Sequence, residues 1–191
     1  MTDRLHGFYY TPLFCEENIW HLARSLIQQN IDAEKLSVAF ISNPAQHVAI
    51  FNQKTSHANQ PVIWDYHVLL IRHDQQPVLV YDFDSLCPFP VALPQYLDAC
   101  FPSTLTIHPE YQAQFRLVPA REFLSQFFSD RSHMLGIIDK ENFPDYPIIK
   151  PEQENNIVKL EAYINFKQQL STDEKLLSQQ KLLNKFNEKC D

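Results

Sequence analysis

The stretch PVIWDYHVLLIRHDQQPVLVYDFDSLCPFP, Pro61 to Pro90, decides the fold because it reads as two strands joined by a short polar turn. Val62–Ile71 and Val78–Phe83 are rich in β-branched and aromatic residues, and Arg72-His73-Asp74-Gln75-Gln76-Pro77 separates them. A hairpin centred on Asp74 and Gln75 sets Ile71 opposite Val78, Leu69 opposite Val80 and His67 opposite Asp82. Directly opposed residues share a face, with Cβ atoms about 4.5–5.5 Å apart. An imidazole and a carboxylate so placed can hydrogen-bond, which fixes the His tautomer and raises its basicity. A slip of one residue would put them on opposite faces. The plain alternative is an edge histidine and a turn-proximal aspartate in an ordinary sheet.

Outward from the hairpin, the composition bounds the class. The chain has 191 residues, 45% of them hydrophobic, which suits one domain with a sizeable core. A net charge of −7 and a pI near 5.6 argue against a nucleic-acid binder, which shows a basic face. Only two glycines, Gly7 and Gly136, stand against thirteen prolines, so neither GxGxxG nor a Walker-type phosphate loop can be written. No apolar run approaches the roughly 18 residues of a membrane span. MTDRLHGFYY lacks the apolar core of a signal peptide, so a cytoplasmic protein is expected. Cys15, Cys87, Cys100 and Cys190 show no CxxC spacing, which favours reduced thiols over disulfides or zinc.

Before the hairpin, Cys15 to Ile27 reads as a helix with Ile19, Leu22, Ala23, Leu26 and Ile27 on one face. Glu16 and Glu17 in its first turn suit the positive end of the dipole, and Cys15 sits at or beside its start. Ser37–Ser42 is a strand, and a weaker one runs through His47–Phe51. After the hairpin come a short helix over Pro94–Cys100, a strand over Phe115–Val118 and a helix over Arg121–Ser129. The chain changes character in its last forty residues, which are rich in Lys, Gln, Asn and Glu. Ser171-Thr172-Asp173-Glu174 is a capping box opening a helix to about Glu188, with Leu176, Leu177, Leu182, Leu183 and Phe186 as an apolar stripe. Residues 1–150 are therefore expected as one catalytic domain, with 151–191 as a helical extension packed on it. Partner binding through that helix is the alternative use of the stripe.

A thiol at a helix N-terminus has its thiolate favoured by the dipole and by unpaired N–H groups, with pKa values of about 3.5–7.5 in such settings. The same N–H groups can hold an oxyanion. Cys15 as nucleophile, His67 as base and Asp82 as orienting acid make a Cys-His-Asp triad for acyl transfer. The plain alternative for Cys15 is a small buried hydrophobe.

The words FCEENIW, AFISN, PVIWDYHV, YDFDSLCPFP, IHP and SDRSHM, in that order along the first three-quarters of the chain, resemble the protein N-terminal glutamine amidohydrolase family. The resemblance implies an α+β fold, an α-β-α three-layer sandwich around a mainly antiparallel sheet with a transglutaminase/papain-like core. It implies a monomeric enzyme that hydrolyses the side-chain carboxamide of an N-terminal glutamine in proteins or peptides, leaving glutamate and ammonia. In eukaryotes that step feeds an N-degron route. Carried over by motif, Cys15 of CEEN is the nucleophile, His67 of WDYH the base and Asp82 of YDFD the orienting acid, with Asp84 its competitor. No metal or organic cofactor is needed. A free α-amine calls for an acidic pocket, for which Glu17, Asp65 and Asp84 are candidates. Trp64 and Tyr66 wall the pocket or are ordinary sheet aromatics. His133 is a second-choice base, or part of a loop with Asp130 and Arg131 that shapes the cleft. Family members carry a glycine- and tryptophan-containing segment near the C-terminus that residues 151–191 lack, which bears on the substrate mouth rather than the triad. Two other classes remain open at this point: a deamidase, transglutaminase or protease acting at internal sites, and a partner-binding protein that retains the fold without catalysis.

Overall fold

The computed structural model describes residues 3–57, 60–151, 156–170 and 175–187. The elements run β1 (Asp3–Leu5), β2 (Phe8–Tyr10), α1 (Cys15–Gln28), β3 (Leu36–Ser42), β4 (Val48–Ile50), β5 (Val62–Trp64), β6 (His67–Arg72), β7 (Leu79–Tyr81) and β8 (Val91–Ala92). They continue with α2 (Leu93–Cys100), β9 (Gln114–Pro119), α3 (Ala120–Gln126), β10 (Phe127–Phe128), β11 (Val158–Lys159), α4 (Leu160–Ile164) and α5 (Gln179–Asn187). The fold is α+β. Its centre is a five-stranded antiparallel sheet in the order β8-β7-β6-β3-β9.

Strand alternation sends successive side chains to opposite faces, and helices cover both. Val38, Phe40, Val68 and Leu70 join one cluster with Ile19, Leu22 and Leu26 of α1, Phe123 of α3 and Tyr163 of α4. Ala39, Ile41, Leu69 and Ile71 join the other with Tyr96 and Leu97 of α2 and Leu182 and Phe186 of α5. Each such side chain taken out of water stabilises the fold by about 1.5–3 kcal/mol.

The hairpin forms with its turn centred one residue further along than the sequence suggests. Arg72 pairs with Leu79, Ile71 with Val80 and Leu70 with Tyr81, a register displaced by two residues from that expected. A displacement by an even number keeps every side chain on its face, so His67 and Asp82 still meet. The first strand is not continuous over Val62–Ile71. It breaks at Asp65-Tyr66, where the Ser42 hydroxyl donates to the Asp65 carbonyl and the Tyr66 N–H bonds the Asp65 carboxylate. Before the break the chain pairs with β4, after it with β3.

Two helix boundaries also differ. The helix expected over Arg121–Ser129 ends at Gln126, because Phe127 and Phe128 turn extended and pair with Val158 and Lys159. The capping box Ser171–Glu174 lies outside the described residues, and the last helix begins at Gln179 instead. Just before it, Leu177 exchanges two backbone hydrogen bonds with Phe115, which holds the chain extended. Leu182 and Phe186 are buried in the second cluster, so the apolar stripe is used for packing. Arg116 of β9 is fully buried, and its guanidinium donates to the carbonyls of Ala162, Tyr163, Asn165 and Gln168, tying the α4 segment to the sheet. Among the described residues no helix is long and apolar enough to cross a membrane.

Candidate active site

The word CEEN opens α1, and each of its residues has a separate task. Asn18 exchanges two hydrogen bonds with the backbone of Thr11, at 2.8 and 2.9 Å, and so pins the turn that leads into the helix. Its own N–H makes the first intrahelical bond, to the carbonyl of Phe14. The N–H groups of Cys15, Glu16 and Glu17 precede that bond and have no carbonyl partner within the helix. Cys15 is buried at the first helical position, and the backbone N–H of Val68, the residue after His67, is near enough to favour its thiolate. Thiol and imidazole are thereby brought to the same end of β6.

His67 is fully buried, with its Nε2 2.8 Å from Oδ1 of Asp82. The other Asp82 oxygen accepts the Tyr96 hydroxyl at 2.7 Å, and the N–H of Asp84 adds a third bond at 2.9 Å. Tyr96 reaches Asp82 from α2, on the opposite face of the sheet from α1. With Nε2 engaged, Nδ1 of His67 is buried without a hydrogen-bond partner. The Trp64 ring lies 5.0 Å from the imidazole, centroid to centroid. Burial pulls the imidazole down, but the charge and hydrogen bond of Asp82, with Asp84 behind it, more than offset that and hold it above its ordinary 6.5. The Asp82 carboxyl is likewise pushed up by burial and held below its usual range by His67, Asp84 N–H and Tyr96.

The thiol does not behave as a helix-start cysteine in the open. Burial, then the carboxylates of Glu16 and Asp84, push it well above its ordinary value, with the Val68 N–H opposing them. Glu16, missed by the sequence reading except as a dipole partner, is fully buried. Its Oε2 lies 3.6 Å from the Cys15 sulfur and accepts the Tyr66 hydroxyl at 3.0 Å. Its Oε1 has no hydrogen-bond partner, although His133 Nε2 is 3.5 Å away. Burial raises Glu16 to about 7, against its own backbone N–H and the Tyr66 hydroxyl.

The remaining candidates fall around this centre. Glu17 is fully buried, but its oxygens are occupied by the Arg131 guanidinium and by Ser129 Oγ at 2.6 Å. Arg131 also bonds the carbonyls of Pro144 and Tyr146, so SDRSHM is the loop that locks the start of α1. Asp84 accepts the Tyr10 hydroxyl at 2.7 Å and is half-buried beside His67. Asp65 is exposed. His133 is held below its ordinary value by burial. The ligand-capable atoms of His67, Asp82 and Asp84 lie within 4.8 Å of one another, with His67 Nε2 bonded to Asp82 and Asp84 Oδ1 to Tyr10. Cys15, Cys87 and Cys100 are free thiols.

A buried thiol at a helix start, together with an imidazole oriented by a carboxylate, is the set of groups that acyl transfer through sulfur requires. Comparison with known proteins gives the family. A profile described as N-terminal glutamine amidase matches residues 10–186, and the chain belongs to that family. A zebrafish (Danio rerio) protein named protein N-terminal glutamine amidohydrolase is 37% identical over 153 residues, covering 78% of this chain and 76% of its own. A human protein of the same name is 36% identical over 145 residues, 74% of this chain and 71% of its own. An Arabidopsis thaliana protein, also so named, is 38% identical over 135 residues, 66% and 61% of the two chains.

Proposed function

We propose that this chain hydrolyses the side-chain carboxamide of an N-terminal glutamine to glutamate and ammonia, with Cys15 as nucleophile, His67 as proton carrier and Asp82 as its orienting acid. Family membership carries the reaction, and one observation carries the residue roles: His67 presents an unpartnered Nδ1 while Asp82 holds its Nε2. The Cys15 thiol gives its proton to Nδ1, and the sulfur attacks the glutamine Cδ carbonyl. The oxyanion is met by N–H groups of the first turn of α1. The tetrahedral intermediate collapses as the imidazolium protonates the departing nitrogen, which leaves as ammonia. A thioester remains. His67 then takes a proton from water, the hydroxide adds to the thioester, and the carboxylate leaves as the thiol is restored.

The helices on both faces of the sheet support an α-β-α layered fold related to the transglutaminase and papain-like cysteine enzymes. Residues 1–150 hold every group of this chemistry, and 151–191 serve as an extension packed on the same domain through Tyr163, Leu182 and Phe186. All groups of this chemistry come from one chain, so a monomer would suffice for it.

The test is mass spectrometry on two peptides identical except for glutamine position, N-terminal or internal, with wild type and Cys15→Ala. Conversion of the N-terminal peptide alone, lost in the variant, is expected. Conversion of the internal peptide would make the chain a deamidase of a different class.

A further inference from the structure

We propose that Glu16 is the specificity residue that binds the α-ammonium of the substrate, with Tyr66 holding its carboxylate in place and His133 covering it; this rests on the amidohydrolase reading above. A reaction confined to N-terminal glutamine needs a negative group at a fixed, short distance from the nucleophile, in a place dry enough for the missing charge of any other substrate to matter. Five carboxylates lie near the site, and four are spent. Glu17 is neutralised by Arg131, and Asp82 is bonded by His67 and Tyr96. Asp84 is bonded by Tyr10, and Asp65 is exposed and turned onto the N–H of Tyr66. Glu16 remains, fully buried and with Oε1 unpartnered.

The geometry fits the molecule. In glutamine four bonds separate the α-nitrogen from Cδ, a span of about 4–5 Å at roughly 1.5 Å per bond. Sulfur attacks from about 3–3.5 Å, and an ammonium sits about 2.8 Å from a carboxylate oxygen. With Glu16 Oε2 3.6 Å from the Cys15 sulfur and Oε1 on the same carboxylate, one bent glutamine side chain can bring Cδ to the sulfur and the ammonium to Oε1. The Tyr66 hydroxyl fixes Oε2 and leaves Oε1 for the ligand. His133, 3.5 Å from Oε1 and 22% exposed where Glu16 is 0%, is the group whose displacement opens the carboxylate. An unpaired carboxylate in this setting carries a proton near neutrality, and the ammonium replaces it. An internal glutamine offers a neutral amide at this position and leaves the carboxylate unsatisfied, which disfavours it.

The experiment compares wild type with Glu16→Gln on two peptides: one begins with glutamine, the other with a 4-carbamoylbutanoyl group, the same side chain without the amine. Wild type is expected to favour the amine by about 100-fold in kcat/KM, the size of a charged hydrogen bond. E16Q is expected to lose about that factor on the amine peptide, mainly through KM, and only a few-fold on the other. Above pH 7, where Glu16 is ionised, Cys15 in E16Q is expected to react with iodoacetamide at least as fast as in wild type, since a neighbouring negative charge has gone. If a thermal melt shows E16Q unfolded, Glu16→Asp is used instead, with the preference expected to fall at least ten-fold. Equal losses on both peptides, or a wild-type preference kept by the folded variant, would overturn the proposal alone. A wild type that converts the amine peptide without favouring it would do the same. A wild type that converts neither peptide would overturn the amidohydrolase reading and the anchor with it.

Discussion

Asp82→Asn removes one charge from the centre of the site with almost no change of shape. Asp82 receives His67 Nε2 at 2.8 Å, the Tyr96 hydroxyl at 2.7 Å and the Asp84 N–H at 2.9 Å. An asparagine can keep the first and third on its oxygen, but its NH2 then faces Tyr96, whose hydroxyl must turn. Hydrogen bonds to a charged group contribute about 1.5–3 kcal/mol and neutral ones about 0.5–1.5. Weakening two of them, His67 included, costs the imidazolium-bearing transition state about 2–4 kcal/mol, a loss in kcat of about 30- to 1,000-fold. KM is expected to hold. The pH dependence moves too. His67 must shed its proton before it can accept that of Cys15, so kcat/KM rises with pH through a value above 6.5 in wild type. Without the Asp82 charge that acid limb shifts to lower pH. Stability follows the same pair. His67, raised on folding, contributes fully below its unfolded pKa, and this is lost as pH rises through the raised value. Asp82, lowered on folding, contributes above its unfolded pKa, and this is lost as pH falls through the lowered value. The pair is therefore strongest between the two, a window D82N abolishes. Ammonia release as a function of pH, beside thermal melts, reads all three effects. A kcat within three-fold of wild type with an unmoved acid limb would refute the reasoning.

Other expectations follow from the buried polar contacts. Arg131→Met leaves the Glu17 carboxylate buried and unpaired, and urea unfolding should show a loss of about 3–5 kcal/mol, part of it recovered in the Glu17→Gln/Arg131→Met double variant. Arg116→Met strips the carbonyls of Ala162, Tyr163, Asn165 and Gln168 of their donor. It should cost about 2–4 kcal/mol and open residues 160–168 to proteolysis, while protection equal to wild type would count against the clamp. A chain ending at Ser178 loses the burial of Leu182 and Phe186, about 3–6 kcal/mol together, and should melt lower with KM unchanged.

What was legible in the sequence is what is encoded locally or protected by parity. Ile19, Leu22, Ala23 and Leu26 recur with the helical period, and α1 begins at Cys15 as expected. The meeting of His67 with Asp82 survived a misplaced turn because strands alternate with period two and the register displacement was even. The hidden features are those set by contacts far along the chain. Glu17 looks like a dipole partner until Arg131, 114 positions later, folds onto it. Glu16 looks the same until burial beside Tyr66 makes it a different group. The capping-box reading of the last helix used only local grammar, and the pairing of Leu177 with Phe115 decided where that helix starts. The expectation of a low thiol pKa failed for the same reason: a helix N-terminus favours the thiolate, but the fold closes over Cys15 and sets a carboxylate against it.

The most direct test of the central claim is to acid-quench the reaction of wild type with a glutamine-initiated peptide and map the adduct by mass spectrometry. The expected species is one peptide joined, less ammonia, to the fragment that carries Cys15. It should be absent from Cys15→Ala and accumulate in Asp82→Asn if thioester hydrolysis slows with His67. Ammonia released by Cys15→Ala at the wild-type rate, or an adduct on Cys87 or Cys100 instead, would contradict the assignment of the nucleophile.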